Sequence, residues 1–299
     1  MKFVNFMIAD KKQIGILLDK EKICSVTNFF KNQANYNQAI IDMNWVIENW
    51  NNDYLKELDI YINLSDEIYN VNDVKILPPI EFPKRNVFCL GKNYLDHALE
   101  VKGLKGSEGE LPKFPIYFSK LASPAIGDGD DIKAYSDLTD KLDYEVELAI
   151  IIGKDGINIV KEEAEDYIFG YTIVNDISVR NMQRKHGQWF KGKALDTHCP
   201  IGPHIVDKSE IPFPVELNIK SYINDELRQN SNTKMLIFDI PTIISDLSKG
   251  MTLRAGDIII TGTPAGVGLG FKPFKFLNVG DKVVCEIEKI GTLTNYIVD

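Results

Sequence analysis

Two stretches, LDYEVELAIII at residues 142–152 and YIFGYTIVND at residues 167–176, decide how this chain is read. In the first, polar and apolar residues alternate. Successive side chains of a strand point to opposite faces, so Asp143, Glu145 and Glu147 are expected on one face, with Tyr144, Val146 and Leu148 on the other. Two glutamates two positions apart repel each other unless something neutralises them. A solvated strand face is the ordinary reading of such a pair taken alone. The second stretch adds a third carboxylate, Asp176, at the mouth of an apolar strand that would hold it rigidly. Glu145, Glu147 and Asp176 are therefore candidate ligands for a divalent cation. With no His or Cys in the set, hard Mg²⁺ or Mn²⁺ fits better than zinc.

Outward from these strands, apolar runs recur at NVFCL, PIYFS, VELNIKSYIND, DIIITG and KVVCEIEKI, separated by turns rich in Gly, Asp and Pro. Helical segments are few; LDHALEV and the stretch around PTIISDLSKG are two. No sustained βαβ alternation occurs, which argues against a doubly wound parallel sheet and for a β-rich α+β fold. The N-terminal part reads as a small α+β unit. MKFVNFMIA and QIGILLD are strand-like, and Ile40, Met43, Ile47 and Trp50 form an apolar stripe at helical spacing that is core packing. Pro78, Pro79 and Pro83 mark the expected boundary. A small α+β domain at 1–77 is thus followed by a β-rich domain at 78–299.

Composition narrows the function. The 299 residues carry 34 Lys and Arg against 43 Asp and Glu, a net charge of −9. That balance argues against a nucleic-acid partner, which needs clustered basic surface. An anionic substrate would have to be held by a metal or by a few local cations. Cys24, Cys89, Cys199 and Cys285 are scattered, without a C-x-x-C pair, and read as reduced thiols. No apolar run is long enough to span a bilayer, and Asp10 interrupts the N-terminus before any run of signal length, so a soluble, cytoplasmic protein is expected.

Two further groups carry chemistry. In GKNYLDHALE, His97 and Glu100 fall at i and i+3 on one helical face. A carboxylate beside an imidazole fixes its tautomer and raises its basicity, which suits water activation. Such a pair is by itself weak evidence, and His186, His198 and His204 show no comparable spacing and read as structural or surface residues. Downstream of Asp176 come Arg180, Gln183 and Lys193, cations and an amide able to bind a carboxylate or stabilise an enolate. Arg184, Lys185 and Lys191 read as solvated charges. In DIIITGTPAGVG, Thr263 sits in a glycine turn after a buried strand, where backbone N–H groups can approach an anion. The G-K-[ST] ending of a nucleotide P-loop is absent.

Taken in order, GKNYLDHALE, PIYFSKLASPAIG, LDYEVELAIIIGK, FGYTIVNDISVRNMQ, GKALDTHCPIGP and ITGTPAGVG resemble the signature blocks of the fumarylacetoacetate hydrolase superfamily, over roughly residues 80 to 290. The resemblance is to the branch of acylpyruvases and 2-hydroxyhepta-2,4-diene-1,7-dioate isomerases. It implies a mixed β-roll or sandwich catalytic domain behind a variable N-terminal domain, and a homodimer. It also implies Mg²⁺ or Mn²⁺, with Ca²⁺ as a stand-in in crystals. On that pattern Glu145, Glu147 and Asp176 match metal ligands, and His97 with Glu100 matches a water-activating dyad. Lys193 matches a lysine beside the substrate, and Arg180, Gln183 and Thr263 match substrate or oxyanion contacts. Lys120 and Ser123 are weaker substrate-binding candidates, and residues 97 to about 111 resemble a lid. The expected activity is metal-dependent hydrolysis of a C–C bond in a 2,4-dioxo acid through a pyruvate enolate, with a small anionic 2-oxo acid as the partner. Oxaloacetate decarboxylation is the close alternative, followed by isomerisation or hydration of a hydroxy-dienoate; a catalytically silent β-scaffold is the reading from a different class.

Overall fold

Hydrogen-bonded strands dominate the computed structural model, which describes residues 1–34, 41–101, 111–122 and 124–299. The Val146–Ile152 strand lies in the middle of an eleven-stranded sheet and every residue in it is buried. Ile168–Asn175 pairs with it on one side and Ile258–Ile260 on the other, both antiparallel. A strand covered on both faces has no solvent side to populate with polar residues, so these runs are apolar throughout. Beyond Ile258–Ile260 come Val87–Gly91 and Ile116–Lys120; beyond Ile168–Asn175 come Ile201–Asp207 and then the N-terminal strands, starting with Lys2–Ile8.

The period-2 rule sorts the central run into two cores. Leu148, Ile150 and Ile152 pack with Ile219, Cys285 and Leu293 of a second, five-stranded sheet. Ala149 and Ile151 turn the opposite way and pack with Phe3, Phe30, Trp45 and Ile47 from the N-terminal part. The main sheet is thus sandwiched between the five-stranded sheet and the N-terminal helices, a β-rich α+β architecture as the sequence predicts. Two strand pairings are parallel, Ile258–Ile260 with Val87–Gly91 and Gly291–Val298 with Asp131–Lys133; the others among the described residues are antiparallel. The helix carrying the N-terminal stripe is Met43–Glu48, capped by Asp42, whose carboxylate accepts the Trp45 N–H at 2.9 Å. Ile40 lies outside the described residues.

Residues 1–77 and 78–299 share more than a linker. Lys2 and Phe3 pair with Val206 and Ile205, so the main sheet runs without interruption from the second part into the first. The lower apolar core also draws side chains from both. No helix among the described residues is long and apolar enough to cross a membrane.

The 142–152 stretch departs from the expected single strand. Leu142–Asp143 belongs to a separate ribbon with Ser178–Val179, and the main-sheet strand begins only at Val146. Between them the backbone steps out of the ladder. The Glu145 N–H goes to the side-chain oxygen of Asn175 at 3.1 Å, and the Val146 N–H to the side-chain oxygen of Gln229 at 3.1 Å. The simple alternation therefore fails at Tyr144, and Asp143 parts company with Glu145 and Glu147.

Two of the histidines read as structural or surface residues are deep in the fold. His198 and His204 are buried, and His198 Nε2 donates to the Lys133 carbonyl at 2.8 Å. His186 is exposed. Burial pushes both buried imidazoles down to about 4, against an ordinary value of 6.5. The unfolded chain then binds more protons than the native one between those values, so stability is full above pH 6.5 and is lost as the pH falls towards 4. Each group accounts for about 3 kcal/mol at the acid end. Urea titrations of wild type and His204→Gln at pH 7 and pH 4.5 check this: the substitution should shrink the acid loss of stability, and an unchanged loss would contradict it.

Candidate metal centre

The break at Tyr144 brings three carboxylates together. Glu145 lies on the stepped-out segment, Glu147 on the central strand, and Asp176 just past the neighbouring strand, its N–H bonded to the Glu145 carbonyl at 2.8 Å. All three are buried, and one oxygen from each lies within 4.8 Å of the others. Strands fix these positions more rigidly than loops would.

Cations and amides surround the trio. The Lys193 ammonium donates to Glu145 at 2.8 Å and to Asp176 at 2.5 Å, which ties two of the three carboxylates together and leaves a third N–H uncommitted. Lys120 donates to the carbonyls of Ile177 and Lys193, both at 2.9 Å, and its ammonium forms an ion pair with Asp176 at 2.9 Å. It is fully buried behind the trio and does not line the cavity, so its donors are not turned to substrate. Arg180 bridges Asp143 at 2.8 Å and Glu145 at 2.7 Å, and donates to the Gln183 side-chain oxygen at 3.1 Å. Asp143 is neutralised there and by the N–H groups of Gly268 and Leu269, at 2.6 and 3.0 Å; it supports Arg180 and is separate from the trio.

Four buried carboxylates, Asp143, Glu145, Glu147 and Asp176, thus meet three cations, Lys120, Arg180 and Lys193. Burial alone would raise the Glu145 carboxyl, but Lys193 and Arg180 outweigh it and hold it below the usual range. Glu147 has no cation in contact among the described residues. Its one strong partner is the Gly262 N–H at 2.7 Å, and burial together with Asp176 and Glu145 pushes its carboxyl well up. An all-oxygen donor set short of positive charge fits a divalent hard cation. Gly262 reaches Glu147 because its φ of +94° is open to glycine, and an added Cβ would crowd Asn93.

A cavity of about 720 Å³ opens over the trio and is lined by His97, Arg180, Gln183, Lys193 and Thr263 as well as by Glu145 and Glu147. His97 and Glu100 sit on the Leu95–Glu100 helix with Nδ1 and Oε2 3.1 Å apart, which leaves Nε2 as the basic nitrogen. The other Glu100 oxygen accepts the Gly266 N–H at 2.9 Å, so one carboxylate joins the imidazole to the glycine turn. Phe118 and Trp189 form an aromatic wall, ring centroids 5.2 Å apart. Ser123 and residues 102–110 of the lid-like segment lie outside the described residues.

Sequence reasoning did not find the outer cations. Lys92 and Lys141 line the cavity, and so do Arg184 and Lys185, which were expected to be simply solvated. Arg184 and Lys185 are exposed, yet they stand at the cavity because the Arg180–Lys185 helix carries Arg180 into its wall. Lys191 is exposed and lines no part of it. Nothing in the composition of QRKHGQ distinguishes a cavity rim from open surface.

The fumarylacetoacetate (FAA) hydrolase C-terminal family matches residues 86–298. The chain belongs to this family. Over 234 residues, 78% of this chain and 76% of the relative, it is 51% identical to oxaloacetate tautomerase YisK of Bacillus subtilis (strain 168). A fumarylacetoacetate hydrolase from the psychrophile Exiguobacterium antarcticum superposes with a TM-score of 0.82 at 37% identity, covering 100% of this chain and 99% of that one. The maleylpyruvate hydrolase of Sphingobium sp. SYK-6, solved with manganese(II) and pyruvate, does so with a TM-score of 0.79 at 29% identity, covering 100% and 99%. Family members act as hydrolases, isomerases and a tautomerase, and the manganese in one of them accords with the acidic trio found here.

Removing one charge separates metal binding from folding. Glu147→Gln should weaken Mn²⁺ binding by more than about 100-fold, beyond the 10–100-fold typical of groups that only support ligands. In chelator the same substitution should raise Tm, because it relieves like-charge crowding with Glu145 and Asp176. Calorimetric Mn²⁺ titration and thermal melts in EDTA measure both; unchanged affinity would remove Glu147 from the ligand set.

Proposed function

We propose that the cavity binds a small 2-oxo acid bearing a second anionic group, and that the protein interconverts its keto and enol forms. One observation carries this reading. Lys92, Lys141, Arg184 and Lys185 surround the cavity, and among the described residues none of them makes an ion pair, in a chain of net charge −9. Unpaired cations gathered at one place on an acidic protein attract and orient an anion. Burial also lowers Lys92, as expected of an ammonium with no carboxylate beside it. Lys92 has a left-handed backbone, φ +55°, a strained conformation of the kind kept at functional sites. The relative named as an oxaloacetate tautomerase supports a four-carbon diacid.

Glu145, Glu147 and Asp176 would hold Mg²⁺ or Mn²⁺, and the bound cation would stabilise negative charge gathering on the 2-oxygen. The chain's own groups then move the proton. His97 Nε2, with Nδ1 fixed by Glu100, takes a proton from carbon 3; the C–H electron pair becomes the C2–C3 double bond, the carbonyl π pair passes to the 2-oxygen, and the imidazolium returns the proton to that oxygen, which regenerates the base. The third N–H of Lys193 is available to that oxygen. The outer lysines and arginine hold the remote anionic group, and Phe118 and Trp189 exclude water from one side.

Hydrolysis of a 2,4-dioxo acid is the second reading, favoured by the 3.1 Å His97–Glu100 pair, since the same imidazole could activate a water. Decarboxylation of the same diacid needs the enolate stabilisation but no base. Assays of the Mn²⁺-loaded protein with oxaloacetate, followed for enol absorbance and for released CO₂, and with acetylpyruvate, followed for acetate, distinguish the three. Turnover of acetylpyruvate alone would overturn the first reading. Lys92→Met should raise KM for oxaloacetate about 10-fold or more, the loss of one charge-assisted contact, and leave competition by the monoanion 2-oxobutyrate within about twofold. His97→Gln should lower kcat by about 10²–10⁴ with Mn²⁺ affinity unchanged; a wild-type kcat would take the proton transfer away from His97.

A further inference from the structure

Gln229 lies in the second sheet, on the Glu226–Asn232 strand, and is fully buried. Its side-chain oxygen accepts the Val146 N–H at 3.1 Å and the Ser221 hydroxyl at 2.9 Å. Its amide nitrogen donates to the Thr263 hydroxyl oxygen at 2.7 Å and to the Pro264 carbonyl at 2.8 Å. The orientation of the amide is unambiguous, because a backbone N–H can only donate and a proline carbonyl can only accept. The Thr263 hydroxyl in turn donates to the Val146 carbonyl at 2.9 Å. Gln229 therefore supplies the partner that Val146 loses where the backbone leaves the ladder, between the two metal-facing glutamates, and ties that segment to the turn bearing Thr263.

A hydroxyl has one proton and two lone pairs. On Thr263 the proton goes to Val146 and one lone pair to Gln229, so a single lone pair is left on the hydroxyl of a residue that lines the cavity. We infer that Gln229 is a positioning residue that makes the Thr263 hydroxyl an acceptor only, so that it binds the O–H of an enol or 2-hydroxy acid and gives nothing to a carbonyl or enolate oxygen. The stabilising donors for an oxyanion must then come from elsewhere in the cavity. Lys193 retains one such N–H. Thr263 thereby favours the protonated oxygen of the enol over the bare oxygen of the keto form. The inference rests on the cavity being the substrate site.

Two stable probes test it on the full chain loaded with Mn²⁺: malate, a 2-hydroxy diacid with an O–H to donate, and oxalate, which offers only acceptor oxygens. Calorimetric Kd values should show malate weakened about 10-fold in Thr263→Val, with oxalate within about twofold. Thr263→Ser should restore malate binding. Gln229→Met should lower the malate-to-oxalate preference in the same sense, and combining it with Thr263→Val should lower that preference no further. Loosening of the fold alone would weaken both probes alike, and would overturn the inference. So would an unchanged preference in Thr263→Val, which stands even if Gln229→Met does not fold. Wild-type protein that binds neither probe would overturn the substrate-site reading underneath, a failure distinct from an unchanged preference.

Discussion

Carboxylates withdrawn from water must be met by positive charge or by well-aimed donors, and this requirement organises the centre of the molecule. Glu145 and Asp176 share Lys193; Asp176 also holds Lys120; Asp143 and Glu145 share Arg180. Each cation is itself buried, so removing any of them would leave an uncompensated charge, a loss of about 3–5 kcal/mol. Backbone N–H groups of Gly262, Gly268 and Leu269 supply the rest. The arrangement stops one charge short, at Glu147, on the side open to the cavity. Incomplete neutralisation is poor for stability, and the missing charge is one that a bound divalent cation would supply.

The architecture explains how such a centre is held. The central strand is apolar on both faces, locked between the five-stranded sheet and the N-terminal helices, so its end cannot shift to relax the charges. Glycines at 262 and 266 let the turn after Ile258–Ile260 lie close to the carboxylates. Gly266 has a φ of +104°, and an added Cβ would run into the Arg228 carbonyl. Glu145, Asp176 and Thr263 thus sit beside the ends of rigid strands.

Much of this was legible in the residues. The trio was readable because carboxylates at 145 and 147, and another closing the next apolar strand, are costly unless they share a cation. The His97–Glu100 pair was readable from helical spacing alone. The break at Tyr144 was not, because the partners that draw the Glu145 and Val146 amides out of register, Asn175 and Gln229, lie far along the chain. The place of Lys120 was equally hidden: a lysine in a strand gives no sign whether its ammonium faces a cavity or three buried oxygens. Arg184 and Lys185 differ from Lys191 only in which way a six-residue helix points its end.

The carboxylate of Glu100 grips the imidazole with one oxygen and the Gly266 amide with the other. Both residues of the pair ride on the same short helix, so any outward swing of it must release the Gly266 amide while the imidazole and carboxylate travel together. The pair is then held over the cavity only while the helix is docked on the glycine turn. On the proposed function, proton transfer would be confined to that seated conformation, and a reactive enol would be spared stray protonation while the cavity stands open to water.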